Sequence, residues 1–243
     1  MSKVILYDLP SKPPTKSWSL NPWKPRMALN YKGVDYKTEW IEYPDLVPTL
    51  KSFGLPPNDP NAPGYFMDYT SPAIRFEDGT VMMDSWPIAH EIEKRYPTPS
   101  LHLDDPIVVE VRDKIGSFLG PLMPQWLPKV PRVLLNKPSA DYFELTREKS
   151  FGMPLSQIEE EKGGEKNWED VQKPAKEMAD LLKKNGGPFF LGNTVVSYAD
   201  LIFVSSLQFL KRVDANVYQR FLSLDPAFGR LYDASKQWLE KDD

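Results

Sequence analysis

The sequence predicts an α+β domain of βαβ-ββα order followed by an all-α domain, and three observations predict it. Residues 71–97 read as a strand, a tight turn, a second strand and a capped helix. Residues 4–8 and 36–42 read as strands on either side of a helix. From residue 107 onward the apolar periodicity is helical throughout. With 243 residues, 41% of them hydrophobic, the chain has material for two small cores. These are expected over residues 1–97 and 107–243, with 98–106 as the linker.

Val4, Ile5, Leu6 and Tyr7 make a continuous apolar strand of the buried type, and residues 9–21 are a loop rich in proline, serine and lysine. Asn21 is a plausible cap for a helix with Pro22 and Pro25 in or near its first turn, carrying Met27, Ala28 and Tyr31 and ending at Gly33. Residues 36–42 alternate as a strand does. Residues 44–69 hold a short helix at best, because 53–64 are too punctuated by proline and glycine for regular structure. A loop of that length inside a compact domain is more often functional than idle, so it is expected to wall an active site. Ile74 and Phe76 then alternate with Ala73 and Arg75, Asp78-Gly79 supplies a hairpin turn, and Val81-Met82-Met83 returns. Asp84 or Ser85 caps a helix that tolerates Pro87 in its first turn and presents Ile88, Ala89, Ile92 and Tyr96 until Pro97 stops it. The order of these elements is the thioredoxin-like one.

In the second half, residues 107–126 carry Val108, Val111, Ile115, Phe118 and Leu119 until Pro121 and Pro124 end or kink the helix. Residues 139–151 form another helix. Residues 168–184 put Val171, Ala175, Met178, Leu181 and Leu182 on one face, with Pro174 near the first turns and Gly186-Gly187 as the stop. Ser197 and Asp200 have capping-box spacing ahead of an almost wholly apolar helix over 201–210, the expected core of this domain. Asp225-Pro226 starts the last helix, which should end near residue 240 with a charged tail.

Composition excludes several functions. A net charge of -4 leaves no basic footprint for nucleic acid. The absence of cysteine rules out disulfides, thiolate metal sites and a cysteine nucleophile, so any sulfur chemistry needs a borrowed thiol. His90 and His102 are the only imidazoles, too few for a histidine-rich metal centre, and no metal is implied. The chain enters a strand at once and has no apolar run of membrane-spanning length, so a cytoplasmic protein without membrane contact is expected.

The start of the helix at Asp84-Ser85 brings free backbone N–H groups, a hydroxyl and a carboxylate side by side. The N–H groups and Ser85 suit a carboxylate and Asp84 suits an ammonium, which together describe a site for a γ-glutamyl-like group. The order Ser71-Pro72, Asp78-Gly79, Asp84-Ser85 and an Ile-rich helix ending at Tyr96-Pro97 resembles the glutathione-binding half of the cytosolic glutathione transferases. The box Ser197, Ala199 and Asp200, just after Phe189-Phe190-Leu191-Gly192, resembles the helical half of the same family. The resemblance implies a cis peptide at Pro72, with the Ser71 backbone pairing with the tripeptide, glutathione as cosubstrate, and a homodimer in which each N-terminal domain faces its partner's C-terminal domain.

Such an enzyme holds the glutathione thiol as a thiolate, which a hydroxyl at a helix N-terminus favours. Tyr7, Ser17 and Ser19 are the hydroxyls at or after the first strand, and Ser19 precedes the proline-started helix. The run from Ser19 through Pro22 and Trp23 to Leu29 resembles the bacterial β-etherase and fungal-specific A (FuA) branches, where a serine four residues before the tryptophan activates the thiol. That resemblance makes Ser19 the expected catalytic residue and Ser17 the next. Asp84-Ser85-Trp86 echoes the etherase branch, and the proline-rich loop points to the fungal class. The basic residues Lys24, Arg26 and above all Lys51 could meet the glycyl carboxylate. Trp18, Trp23, Tyr65, Phe66, Trp126 and Tyr142 could line a site for apolar aromatic electrophiles, which the resemblance identifies with plant- and wood-derived phenolics. A noncatalytic carrier of aromatic ligands and a glutathione-dependent β-etherase-type lyase are the two other functions the same resemblance allows.

Overall fold

A computed structural model describes residues 3–62 and 65–243. Residues 1 and 2 ahead of the first strand, and 63 and 64 of the predicted loop, lie outside the described residues. Strand β1 (Val4–Asp8) pairs in parallel with β2 (Tyr36–Trp40) across helix α1 (Leu20–Tyr31). Helix α2 (Tyr43–Ser52) follows, then the hairpin of β3 (Ala73–Arg75) and β4 (Val81–Met83), and helix α3 (Ser85–Arg95). The sheet order is β2-β1-β3-β4, with β3 antiparallel to both neighbours and Ile74 opposite both Leu6 and Met82.

Every residue of β1 is buried because both faces of the sheet are covered. Val4 and Leu6 join the large core beneath α1 and α3, whereas Ile5 and Tyr7 join a smaller cluster with Leu46 and Leu50 of α2. That alternation follows from the two-residue period of a strand, and a slip by one residue would exchange the two sets.

The remaining elements are helical: α4 (Pro106–Leu119), the short α5 (Met123–Trp126), a π-helical turn (Val130–Leu134), α6 (Lys137–Phe151), α7 (Leu155–Lys162), α8 (Glu165–Lys183), α9 (Tyr198–Val213), α10 (Ala215–Leu222) and α11 (Pro226–Ala234). Helix α9 is buried on nearly every side and packs against α1, α4 and α10. Asp200 starts it, accepting from the Ser197 backbone N–H at 2.7 Å, the Ser197 hydroxyl at 2.8 Å and the Phe190 N–H at 2.8 Å. The large core runs without a break from Leu6 and Met27 to Leu207 and Phe228.

Several expectations are corrected. Helix α2 runs for ten residues, because Pro44 sits in its first turn, where no N–H is needed. Helix α1 begins at Leu20 with Ser19, not Asn21, as its N-cap. Helix α8 starts three residues before the predicted position, so Pro174 is interior rather than near the first turns. The final helix stops at Ala234, and a 3-10 turn (Lys236–Trp238) leads into a tail that is tied down. Asn30 donates to the Trp238 and Lys241 carbonyls at 2.8 and 3.1 Å, and Arg212 pairs with Asp242 at 2.6 Å.

Candidate functional site

The end of β1, the loop after it and α1 are fastened by a buried ion pair. Arg26 Nη2 donates to Asp8 Oδ2 at 2.9 Å, with neither side chain exposed. Ser17 Oγ donates to the same oxygen at 2.7 Å, and the Leu9 N–H donates to Asp8 Oδ1 at 2.7 Å. Arg26 also donates to Thr38 Oγ1 at 3.0 Å, which extends the network to β2. Ser17 is therefore a buried structural donor, and Arg26 is buried in the same network, shared between Asp8 and Thr38. The expected grouping of Lys24, Arg26 and Lys51 is not formed, since residues two apart on a helix face different ways.

Two residues after Ser17, Ser19 sits in extended conformation (φ -74°, ψ 136°) and its hydroxyl makes no capping bond to the helix it begins. It lines a cavity of about 140 Å³ with Leu9 and Asn21, walled by Tyr43, Leu46 and Val47 of α2 and by Tyr142 and Arg147 of α6. The long loop supplies Phe66, Met67, Tyr69, Thr70 and Ser71, so it does wall the cavity. Of the six aromatic residues named from the sequence, Phe66 and Tyr142 line this space. Trp18 and Trp23 are core residues, Trp126 packs edge-on to Phe209, and the Tyr65 hydroxyl donates to Asp68. Tyr7 is buried under α2 against Phe53, and burial raises its phenol pKa.

Ser71 carries the cavity to the other candidate residues. The Ser71-Pro72 peptide is cis, and the Ser71 hydroxyl is buried without a partner among the described residues. A buried unpaired hydroxyl is costly, and this one belongs to a residue that lines the cavity. The Asp84 N–H donates to the Pro72 carbonyl at 3.1 Å, so the start of α3 abuts the cis turn. Asp84 itself holds φ 72°, a left-handed conformation that costs a non-glycine residue about 1–3 kcal/mol. Its carboxylate accepts from the Trp86 N–H at 3.0 Å. Ser85 is buried, and the Tyr198 hydroxyl donates to its carbonyl at 3.1 Å, tying the turn to α9. Lys24 lies near enough for Asp84 to oppose the fall in its pKa, which burial nevertheless lowers to about 8. Lys51 is exposed on α2, one turn beyond Val47, with Nζ 5.4 Å from the Tyr69 ring.

The cavity residues not singled out from sequence include Tyr43, Tyr69 and Arg147. Tyr43 opens α2, and its N–H donates to Ser139 Oγ of α6 at 2.8 Å. Ser139 in turn donates to Glu42, which also accepts from Asn136 at 2.8 Å, so α6 is latched to the start of α2. The Tyr43 and Tyr142 rings stack, 6.2 Å apart with planes 15° from parallel. Prolines at 44 and 48 concealed the helix, although Pro44 falls in its first turn, where proline is tolerated.

A thioredoxin-like sheet, a cis proline just before β3, a capped helix start at α3 beside it and an appended helical bundle define a glutathione-binding class of protein. Two family descriptions match the chain: the glutathione S-transferase N-terminal domain over residues 18–95 and the C-terminal domain over residues 113–238. The chain belongs to the glutathione S-transferase family. It is 33% identical to the glutathione S-transferase-like protein ustS of Aspergillus flavus over 98% of this chain and 92% of that protein. Among solved structures it resembles GSTFuA2 of Phanerochaete chrysosporium, at 30% identity over the full length of both chains and a TM-score of 0.87. A glutathione S-transferase of Ceriporiopsis subvermispora, crystallised in complex with glutathione, matches at 30% identity over 98% of each chain and a TM-score of 0.85. These relatives are fungal, and the FuA class is the branch they support.

Proposed function

We propose that the protein transfers glutathione to aromatic electrophiles, with Ser19 as the thiol-activating residue. The observation that carries this reading is the uncommitted Ser19 hydroxyl at the start of α1, in the same cavity as Ser71 of the cis turn. Glutathione fits the residues present: Asp84, Ser85 and the start of α3 suit its γ-glutamyl end, the Ser71-Pro72 turn its cysteinyl backbone, and Lys51 its glycyl carboxylate. Lys24, beside Asp84, adds positive charge for the γ-glutamyl carboxylate. Ser19 donates its hydroxyl proton to the sulfur, and the α1 dipole adds to the same effect, so the thiol releases its proton to solvent more readily. The sulfur lone pair then forms a C–S bond to the electrophilic carbon as the leaving group departs with the bonding pair. Tyr43, Phe66, Tyr69 and Tyr142 furnish an aromatic surface for that partner.

The same reading makes the protein a cytoplasmic homodimer of two-domain subunits, with residues 1–97 and 107–243 as the domains. Steady-state turnover of glutathione with aryl halides, isothiocyanates, peroxides and lignin-like aryl ethers tests it. Conjugation of aryl halides or isothiocyanates supports the transferase. Tight aromatic binding without turnover on any of them would replace it with a carrier, and cleavage confined to the ethers would replace it with a lyase.

A further inference from the structure

The cavity holds one charge that the thiol chemistry does not use. Arg147 lines the same space as Ser19 and Ser71, and every other residue of the lining is uncharged. Arg26, Arg95 and Arg212 each have a carboxylate within ion-pair distance, whereas Arg147 has none among the described residues. Its hydrogen bonding there is confined to one donation, from Nη1 to Thr146 Oγ1 at 3.0 Å. The guanidinium is nonetheless held in place. It lies 4.3 Å from the centre of the Phe143 ring and 5.8 Å from that of Tyr43. Thr146 is fixed in turn by donating to the Tyr142 carbonyl at 2.8 Å. Tyr43 does not supply the missing negative charge, because burial pushes its phenol up to about 12 and keeps it protonated. A half-buried cation, pinned by stacking, with donors left over and a flat aromatic wall beside it, is a receptor for an anion carried on a ring.

We infer that the cavity selects aromatic compounds bearing a carboxylate, with Arg147 as the counter-ion that positions them beside Ser19. The inference names the substrate class of the proposed transferase and rests on that reading for turnover, though not for binding. The carboxylate takes two of the free N–H groups, and the ring lies along the Tyr43 and Tyr142 surface. A neutral ester of the same ring leaves the guanidinium unpaired, and the loss of a charge-assisted pair is worth about tenfold to a hundredfold in affinity.

The test compares 4-chloro-3-nitrobenzoate with its methyl ester on the full-length protein, by calorimetry and by turnover with glutathione. In the reaction the thiolate forms a C–S bond at the chlorine-bearing carbon, the C–Cl bond breaks and chloride leaves with the pair. Each rate is divided by that of the uncatalysed reaction, because the two rings differ in reactivity. Wild type is expected to bind the acid about tenfold or more tightly than the ester. Arg147→Gln should abolish that preference, Arg147→Lys should keep part of it, and Arg147→Glu should reverse it, each with unchanged circular dichroism. Equal binding of acid and ester by wild type overturns the inference, as does a preference that survives in Arg147→Gln. It is equally overturned if Arg147→Gln weakens glutathione binding instead of the acid preference. A preference in binding without turnover of either compound leaves the anion site standing and counts against the transferase reading alone.

Discussion

Asp8 Oδ2 receives both Arg26 Nη2 at 2.9 Å and Ser17 Oγ at 2.7 Å, and all three side chains are buried. This single oxygen joins the end of β1, the loop that follows and the flank of α1. The residue the loop presents to the cavity is Ser19. Removing one partner leaves a buried charge uncompensated, so Arg26→Leu should cost about 3–5 kcal/mol. The double change Asp8→Leu with Arg26→Leu should cost less than Arg26→Leu alone, because no charge is left stranded. Urea denaturation of the three proteins checks both statements. A loss of under about 1 kcal/mol in Arg26→Leu would show that the pair is solvated.

Ser19→Ala is expected to leave the fold and glutathione affinity nearly intact, because the hydroxyl makes no bond to the protein's own helix. The thiol of bound glutathione should titrate back toward about 8.5, its unperturbed range. Turnover should fall about a hundredfold, the scale of one lost preorganised donor. Ultraviolet titration of the bound thiolate measures the shift, with Ser17→Ala as the companion. Loss of the thiolate in Ser17→Ala through misfolding is separated from a direct role by its circular dichroism. An unchanged titration in Ser19→Ala removes that residue from the chemistry.

Ser85→Ala should weaken glutathione binding by about ten- to a hundredfold, corresponding to a charge-assisted hydrogen bond of about 1.5–3 kcal/mol. Turnover at saturating glutathione should change much less. Calorimetry of the variant provides the check, and equal affinities would move the γ-glutamyl end away from α3.

Burial raises the pKa of Asp200 from 3.8 to about 6, against the lowering effect of its hydrogen-bond donors. The native state thus holds this proton more tightly than the unfolded chain. The stabilisation is fully present below pH 3.8 and is lost as pH rises through about 6. The stability of wild type minus that of Asp200→Asn, which cannot titrate, should therefore decline by ~3 kcal/mol between pH 3 and 7. Carboxyl carbon NMR should place the midpoint near 6. A midpoint below 4 would mean that the three donors outweigh burial.

Much of the first half was legible because its signals are local. The Asp78-Gly79 turn, the proline-started α1 and the Asp84-Ser85 cap each announce themselves within a few residues. The capping box at Ser197 and Asp200 is of the same kind. Burial is different: sequence ranks Ser19 ahead of Ser17 by its place before α1, but that Ser17 is buried and bonded follows only from Asp8 and Arg26, brought together by the β1-to-α1 crossing. Arg147 lies in a polar stretch with Thr146 and Glu148 that reads as a solvated helix face. Its place in the cavity comes from the latch of Glu42, Asn136 and Ser139, contacts nearly a hundred positions apart in sequence.

Helix α1 carries Ser19 at its first turn and shares an unbroken core with α9 through Met27 and Leu207. The Ser19 hydroxyl is consequently mounted on a beam whose footing belongs to the other half of the chain. Neither half supports α1 alone, and severing them would take the bearing surface from under the helix. A change in the packing of α9 is therefore felt at the start of α1 without passing through any residue of the cavity wall.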